Sequence, residues 1–388
     1  MYKIQTLNKI SPKGLDLFPR DNYEVASEIS NPDAIILRSF NIHDMKFPKS
    51  LKAIARAGAG TNNIPIDRCS KEGIVVFNTP GANANAVKEI VLAGLLLSSR
   101  DIVGGINWTQ SISDKGDEVP SLVEKAKSQF AGCEIKGKKL GVVGLGAIGA
   151  MVANDAVKLG MKVIGYDPYI SVEAAWRLSS EIKKATGLET LLSEVDYLSI
   201  HVPLMDKTKN MFNEEKFAMM KDGIKIINFS RGGLVNNDDI KKALISGKVS
   251  TYVSDFPDAS LLGVKGVIPI PHLGASTKES EENCAMMAAN EIKEFLESGN
   301  ITNSVNFPNT NLPLKKGIKR VVITNKNIPN VIGEITSILA KNSINIIDML
   351  NKSRGDFAYN IIDIDQELPP NALKELRDNS KIISIRAI

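Results

Sequence analysis

The chain has 388 residues, of which 48 are basic and 44 acidic, for a net charge of +4. That length exceeds one ordinary core and predicts two or three domains, and the dispersal of both charge signs excludes the basic footprint of a nucleic-acid binder. The longest apolar run, 90–97, is far below membrane-spanning length. MYKIQTLNKI lacks the basic-then-apolar pattern of a secretory leader. Cys69, Cys133 and Cys284 are isolated, so neither a disulfide framework nor a metal site is expected, and a cytoplasmic location is.

Strand-like runs at 34–37, 53–56 and 75–77, separated by helical or turn segments, predict a small parallel α/β domain. A helix over 83–100 leads out of it. The stretch 139–168, KLGVVGLGAIGAMVANDAVKLGMKVIGYDP, then holds every part of a dinucleotide-binding βαβ unit. A strand at 140–143 runs into Gly144-x-Gly146-x-x-Gly149, with Ala147 and Ile148 opening a helix, and a second strand at 162–166 ends on Asp167. Gly144 suits a tight turn, Gly146 the close approach of a pyrophosphate, and Gly149 helix–strand contact. Asp167 stands where an acid accepts hydrogen bonds from both adenosine ribose hydroxyls and repels a 2′-phosphate, which favours NAD over NADP.

Strands at 197–202, 224–229, 250–253 and 266–269 continue the βα alternation, and a helix over 277–298 returns the chain to its first domain. Residues 303–316, NSVNFPNTNLPLKK, read as a linker. Beyond it, strands at 318–324, 345–353, 357–363 and 382–387 with helices at 330–342 and 370–380 spell βαββαβ. The expected fold is α/β: a Rossmann-type doubly wound parallel sheet (98–277) inserted in a smaller flavodoxin-like domain (1–97 and 278–302), a linker (303–316) and a C-terminal ferredoxin-like domain (317–388).

Hydride exchange with a nicotinamide needs a group to move the hydroxyl proton and a cation to hold a carboxylate or polarise a carbonyl. Of three histidines, His43 reads as a surface residue and His201, at a strand end, as shaping the nicotinamide side. His272 follows a strand on a constrained loop at the carboxyl edge of the sheet, where ligands of open α/β sheets bind; capping of the next helix is the alternative. Arg231, between an apolar strand and Gly232-Gly233, can aim a planar fork into a cleft or serve a surface salt bridge.

The segments RAGAGTNNIPID (56–67), FNTPGANANAVKE (77–89), GVVGLGAIG (141–149), HVPL (201–204), INFSRGGLVN (227–236) and PHLGAST (271–277), in this order and spacing, resemble the D-isomer-specific 2-hydroxyacid dehydrogenases. Residues 317–388 resemble an ACT domain. The resemblance implies that Arg231 binds the substrate carboxylate and carbonyl, that His272 moves the proton, and that NAD is held by Gly144, Gly146, Ala147, Ile148, Gly149, Asp167, His201, Val202, Pro203, Asn228, Asp255 and Gly274. The backbone of Ala57, Gly58, Ala59 and Gly60 would bind the carboxylate, Arg38 and Arg56 with Ser39 a phosphate, and Asn78 would border the cleft. A fold salt bridge is the alternative for either arginine.

The activity so implied is oxidation of a phosphorylated 2-hydroxy acid, 3-phospho-D-glycerate, to 3-phosphooxypyruvate, the entry to L-serine synthesis. The effector would be L-serine, bound between paired ACT domains of a homodimer or homotetramer at positions matching Asn327 and Asn345, with Asn325 beside them; a dimerisation module without a ligand is the alternative. Three departures stand out. Ala259 occupies the place of the glutamate that orients the histidine, leaving Asp258 or Asp255 as a shifted carboxylate, Asn325 stands where histidine is common, and Asn330 where glycine is common. Another 2-hydroxy acid (hydroxypyruvate/glycerate or D-lactate) and a non-catalytic NAD-sensing role are the alternatives.

Overall fold

The structure, a computed structural model, describes residues 1–388 apart from the Glu173 side chain. It forms two compact units, Met1–Asn83 with Lys278–Ile388, and Ala84–Thr277. The first opens with β1 (Tyr2–Leu7), α1 (Pro12–Leu15), β2 (Tyr23–Ala26), β3 (Ala34–Leu37), β4 (Ala53–Arg56), α2 (Ile66–Lys71) and β5 (Val75–Asn78). The five strands are parallel in the order β2-β1-β3-β4-β5, the flavodoxin-like arrangement. AIIL, AIA and VVF are unbroken apolar runs because both sheet faces are covered. Ile35, Leu37, Ile54 and Val76 enter one core and Ile36, Ala55, Val75 and Phe77 the other. β1 and β2 escaped the sequence reading, since each buries a single residue, Ile4 or Tyr23, among polar neighbours.

In the second unit, α3 (Ala84–Ser99), α4 (Ile102–Ser111) and α5 (Val119–Ala126) precede β6 (Lys139–Val143), α6 (Ala147–Lys158), β7 (Lys162–Tyr166), α7 (Val172–Ala175) and β8 (Lys183–Lys184). There follow α8 (Leu188–Glu194), β9 (Tyr197–Ile200), α9 (Glu214–Met219), β10 (Ile224–Asn228), α10 (Asn237–Ile245), β11 (Val249–Ser254) and β12 (Val267–Pro269). The parallel order β12-β11-β10-β9-β6-β7-β8 is the doubly wound 3-2-1-4-5-6 pattern with β12 added at the edge. Val87, Val91 and Leu95 of α3 share a core with Leu140, Val142, Ile227 and Val253, so this helix packs wholly within the nucleotide unit. The expected boundary at 97 lies at the far end of the same helix.

The chain re-enters the first unit as α11 (Lys278–Ser298), then forms β13 (Lys319–Lys326), α12 (Val331–Lys341), β14 (Ile346–Arg354), β15 (Phe357–Ile364), α13 (Pro370–Asp378) and β16 (Ile382–Ala387). These strands make an antiparallel sheet in the order β14-β15-β13-β16. Val321 and Ile323 face α12 and α13, whereas Val322, Tyr359 and Ile361 join the core that α11 supplies with Cys284, Ala285, Ala288, Ile292 and Phe295. Small residues let α11 approach closely: a Cβ on Gly14 would lie 2.5 Å from the Ala285 backbone.

At the end of α11 the helical ladder runs out of donors, Gly299 N closing the last turn on Phe295 O (3.0 Å), and the terminal sheet supplies further donors. Arg386 donates to Phe295 O (2.6 Å) and Leu296 O (3.3 Å), Arg320 to Ser298 O (2.8 Å), and Tyr359 Oη to Gly299 O (2.6 Å). Glu291, 7% exposed on the same helix, accepts from Asn303 Nδ2 (2.8 Å) through Oε1, while Oε2 has no partner among the described residues. Burial pushes this carboxyl up to about 8. The folded protein therefore keeps a proton that the unfolded chain loses near 4.5, so stability falls as pH rises between these values. Glu291→Gln retains the acceptor for Asn303 without titrating. Urea unfolding should show the variant level with wild type near pH 4 and more stable at pH 8 and above, by on the order of 3 kcal/mol.

Candidate functional site

The β6–α6 turn gives each glycine a distinct reason. Gly144 has φ +91°, and a Cβ there would lie 2.6 Å from His201 O. A Cβ on Gly149 would lie 1.9 Å from Gly144 O, so this position holds helix against turn. A Cβ on Gly146 would meet nothing within 4 Å, the open approach that a pyrophosphate requires beside the N-terminus of α6, where Ala147 and Ile148 begin the helix and no acid stands in the first turn. Asp167 follows β7 and accepts from Leu145 N (2.8 Å) and Tyr169 N (2.9 Å). Each oxygen retains accepting capacity for a ribose hydroxyl. These residues fit NAD.

His272 has φ +51° and an exposed ring lying 5.0 Å from that of Phe256 at 55°. Its loop is held from beneath by Asp255, 1% exposed, which accepts from Leu273 N (2.7 Å) and Gly274 N (2.9 Å). A Cβ on Gly274 would come within 2.9 Å of Asp255 Oδ2, so only glycine permits this approach. Burial raises the Asp255 pKa against the lowering effect of those two amides. Asp258 is occupied elsewhere: its Oδ1 accepts from Ser260 N (2.9 Å) and Oγ (2.6 Å), which lowers its pKa. Among the described residues no carboxylate forms an ion pair with His272. Phe256, which the sequence reading did not single out, is its ring neighbour; an aromatic just past a strand reads as core.

Arg231 is exposed and donates from Nη1 to Ser230 O (2.7 Å). Asn228 shapes its loop by accepting from Ser230 N (3.1 Å) and donating to Arg231 O (3.0 Å) and Tyr252 Oη (3.3 Å). Its carboxamide, expected beside the nicotinamide, is thus engaged in the loop. Ser230 Oγ ties this loop to Val202 O (2.6 Å), and Pro203 O accepts from Thr208 Oγ1 (2.6 Å). His201 Nε2 pairs with Ser199 Oγ (2.8 Å), and burial lowers its pKa to about 4, which keeps it neutral near pH 7.

In the first unit, Arg56 Nε donates to Arg38 O (2.9 Å), and a Cβ on Gly60 would lie 2.6 Å from Arg56 Nη1. The guanidinium therefore overlies the loop of Ala57, Gly58, Ala59 and Gly60. Asn78 Nδ2 holds that loop through Ala59 O (2.6 Å), and Thr79 N reaches Gly58 O (3.2 Å). Arg38 pairs with Glu281 (2.6 Å), both half-exposed, and exposed Ser39 follows it. Asn325, 2% exposed, lies in an asparagine ladder across the terminal sheet, accepting from Asn360 Nδ2 (2.6 Å), which in turn accepts from Asn351 through its own Oδ1 (2.6 Å). Asn327 donates to Gly355 O (2.9 Å), and exposed Asn345 begins the turn into β14, its N–H held by Asp365 (3.1 Å). Asn330 has φ +70°, which explains an asparagine in a glycine's place.

Residues 100–274 match the model of the D-isomer specific 2-hydroxyacid dehydrogenase NAD binding domain. A Schizosaccharomyces pombe protein provisionally named D-3-phosphoglycerate dehydrogenase is 31% identical over 82% of this chain and 69% of its own. The chain belongs to this dehydrogenase family. Its cofactor is NAD. A D-3-phosphoglycerate dehydrogenase of Methanocaldococcus jannaschii is 31% identical over 84% of this chain, which spans 61% of that relative's length. One from Haemophilus influenzae is 29% identical over 99% of this chain and 94% of its own. Among solved structures, an NAD+-bound 3-phosphoglycerate dehydrogenase of Entamoeba histolytica superposes with TM-score 0.61 at 25% identity, over 79% of this chain and 98% of its own. Among the described residues no helix is long and apolar enough to cross a membrane.

The glycine turn yields a paired prediction. Gly146→Val should weaken NAD binding more than about tenfold, measured by calorimetry, while leaving the thermal midpoint unchanged, because its side chain meets only ligand space. Gly149→Val should lower both.

Proposed function

We propose that the chain oxidises 3-phospho-D-glycerate to 3-phosphooxypyruvate with NAD, the first step of L-serine biosynthesis, in the cytoplasm. The observation that carries the reading is the exposed His272 imidazole on a left-handed loop pinned by Asp255, in the same unit as the dinucleotide turn. The names of the relatives support the substrate.

NAD, when bound, supplies the hydride acceptor. Arg231 then holds the substrate carboxylate and the developing carbonyl through its fork, and His272 accepts the C2 hydroxyl proton, returning it in reduction. Phe256 limits the ring's rotation, and Asp255 fixes the loop. Ala57, Gly58, Ala59 and Gly60 offer backbone amides to the carboxylate, and Arg56 with Arg38 and Ser39 takes the phosphate. The resemblance assigns both sets to one substrate and divides the chain into substrate, nucleotide and ACT domains. L-serine would bind at Asn327 and Asn345 between the ACT domains of two subunits, in a homodimer or homotetramer. The carboxamide of Asn325 would contribute by shaping the sheet beneath them.

The lack of an ion-paired carboxylate at His272 favours a second reading, a family member that binds NAD without turnover of this substrate. Two measurements separate them. NADH absorbance should rise when the protein meets 3-phosphoglycerate at alkaline pH with hydrazine trapping the product, and millimolar L-serine should suppress the rise; no NADH with intact NAD binding would support the second reading. His272→Ala should lower kcat by about 10²–10⁴-fold with unchanged NAD affinity, and wild-type turnover in that variant would remove the proton-transfer role.

A further inference from the structure

A groove of about 570 Å³ lies within the first unit, between the end of β5, the segment 303–309 and the end of β14. The groove is wide and open to solvent, and its lining contains one cation, Arg354, and no carboxylate. Arg354 donates from Nη1 to Ser304 O (2.9 Å), which fixes the guanidinium while Nε and Nη2 have no protein partner among the described residues. Asn309 accepts from Asn303 N (3.0 Å) through Oδ1, leaving its Nδ2 donor unpaired, and Ser353 Oγ is likewise unpaired among the described residues. A concave surface thus gathers a fork, an amide and a hydroxyl, all able to donate, with no acid to answer them. That donor set matches an oxyanion.

The opposite wall is Asn78, whose side chain grips Ala59 O and whose N–H meets Asn303 O (3.5 Å). An occupant drawing 303–309 and Arg354 together would bear on the residue that holds the glycine-rich loop after β4. We propose that this groove binds a small oxyanion, a carboxylate or a phosphate, and that its occupancy is transmitted through Asn78 to that loop. The site itself is independent of the function proposed above. Any consequence for turnover rests on reading the loop as the substrate's cradle.

Hydrogen exchange read by mass spectrometry on the full chain at constant ionic strength tests both parts, with inorganic phosphate and malonate as separate probes. Exchange should slow at 303–309 and 351–356. Protection by phosphate alone points to a phosphorylated ligand, by malonate alone to a carboxylate, and by both to an unselective oxyanion site; each supports the groove. Asn309→Asp keeps the acceptor for Asn303 but adds a negative charge, and should demand about tenfold more probe for the same protection. No protection with either probe, or protection of Asn309→Asp at the same concentration, overturns the site. Slowing at 57–62 that Asn309→Asp abolishes supports the coupling; slowing there that persists in the variant overturns it. Because none of these readouts is turnover, failure of the catalytic assay and failure of the groove are distinguishable.

Discussion

The carboxyl end of α11 is the constraint around which the first unit is organised. Three of its terminal carbonyls, and that of Gly299 just after it, are met by Arg386, Arg320 and Tyr359 of the terminal sheet, and two cations at a helix C-terminus also suit its dipole. Arg320 is fully buried, an arrangement that is costly unless every donor is engaged. Here Nε and Nη2 form a fork with Asp363 (2.6 and 2.9 Å), while Nη1 serves Ser298 O and Leu312 O. The terminal sheet cannot lift away without baring the helix end and parting Arg320 from the Ser298 and Leu312 carbonyls. Glu281, Cys284 and Glu291, all on α11, share the core and contacts of that same unit.

The nucleotide unit shows how polar residues at strand ends prepare a site before anything binds. Asp255 and Asn228 both read as cofactor neighbours, yet their hydrogen bonds go first to backbone: one fixes the loop of His272, the other that of Arg231. Buried side chains bonded to main-chain groups thus fix both loops before any ligand is present.

Much of this was legible in the sequence, for physical reasons. Apolar strands covered on both faces announce themselves, so β3, β4 and β7 lie where their residues predict, and the partly buried edge strand β16 does too. The three glycines of the dinucleotide turn do what their spacing required. The failures are equally specific. β8 is two exposed lysines with no apolar period, and α4 and α5 bury no residue, although Val119, Leu122, Val123 and Ala126 of α5 do recur at helical spacing. Asp258 is near His272 in the chain, but its turn partner Ser260 lies nearer still, and adjacency in sequence says nothing about which donor a carboxylate meets first. The groove at Arg354 was illegible because its walls come from three segments that only the packing of the terminal sheet assembles.

Asp167 ties coenzyme choice to backbone architecture. Its carboxylate, expected to meet the ribose, also holds the Leu145 amide inside the glycine turn. Replacing it with serine or arginine to admit a 2′-phosphate would discard charge and turn anchor together. Asparagine drops the charge while keeping a carbonyl acceptor of the same length for Leu145, so it separates the electrostatic part of coenzyme choice from the architecture of the turn.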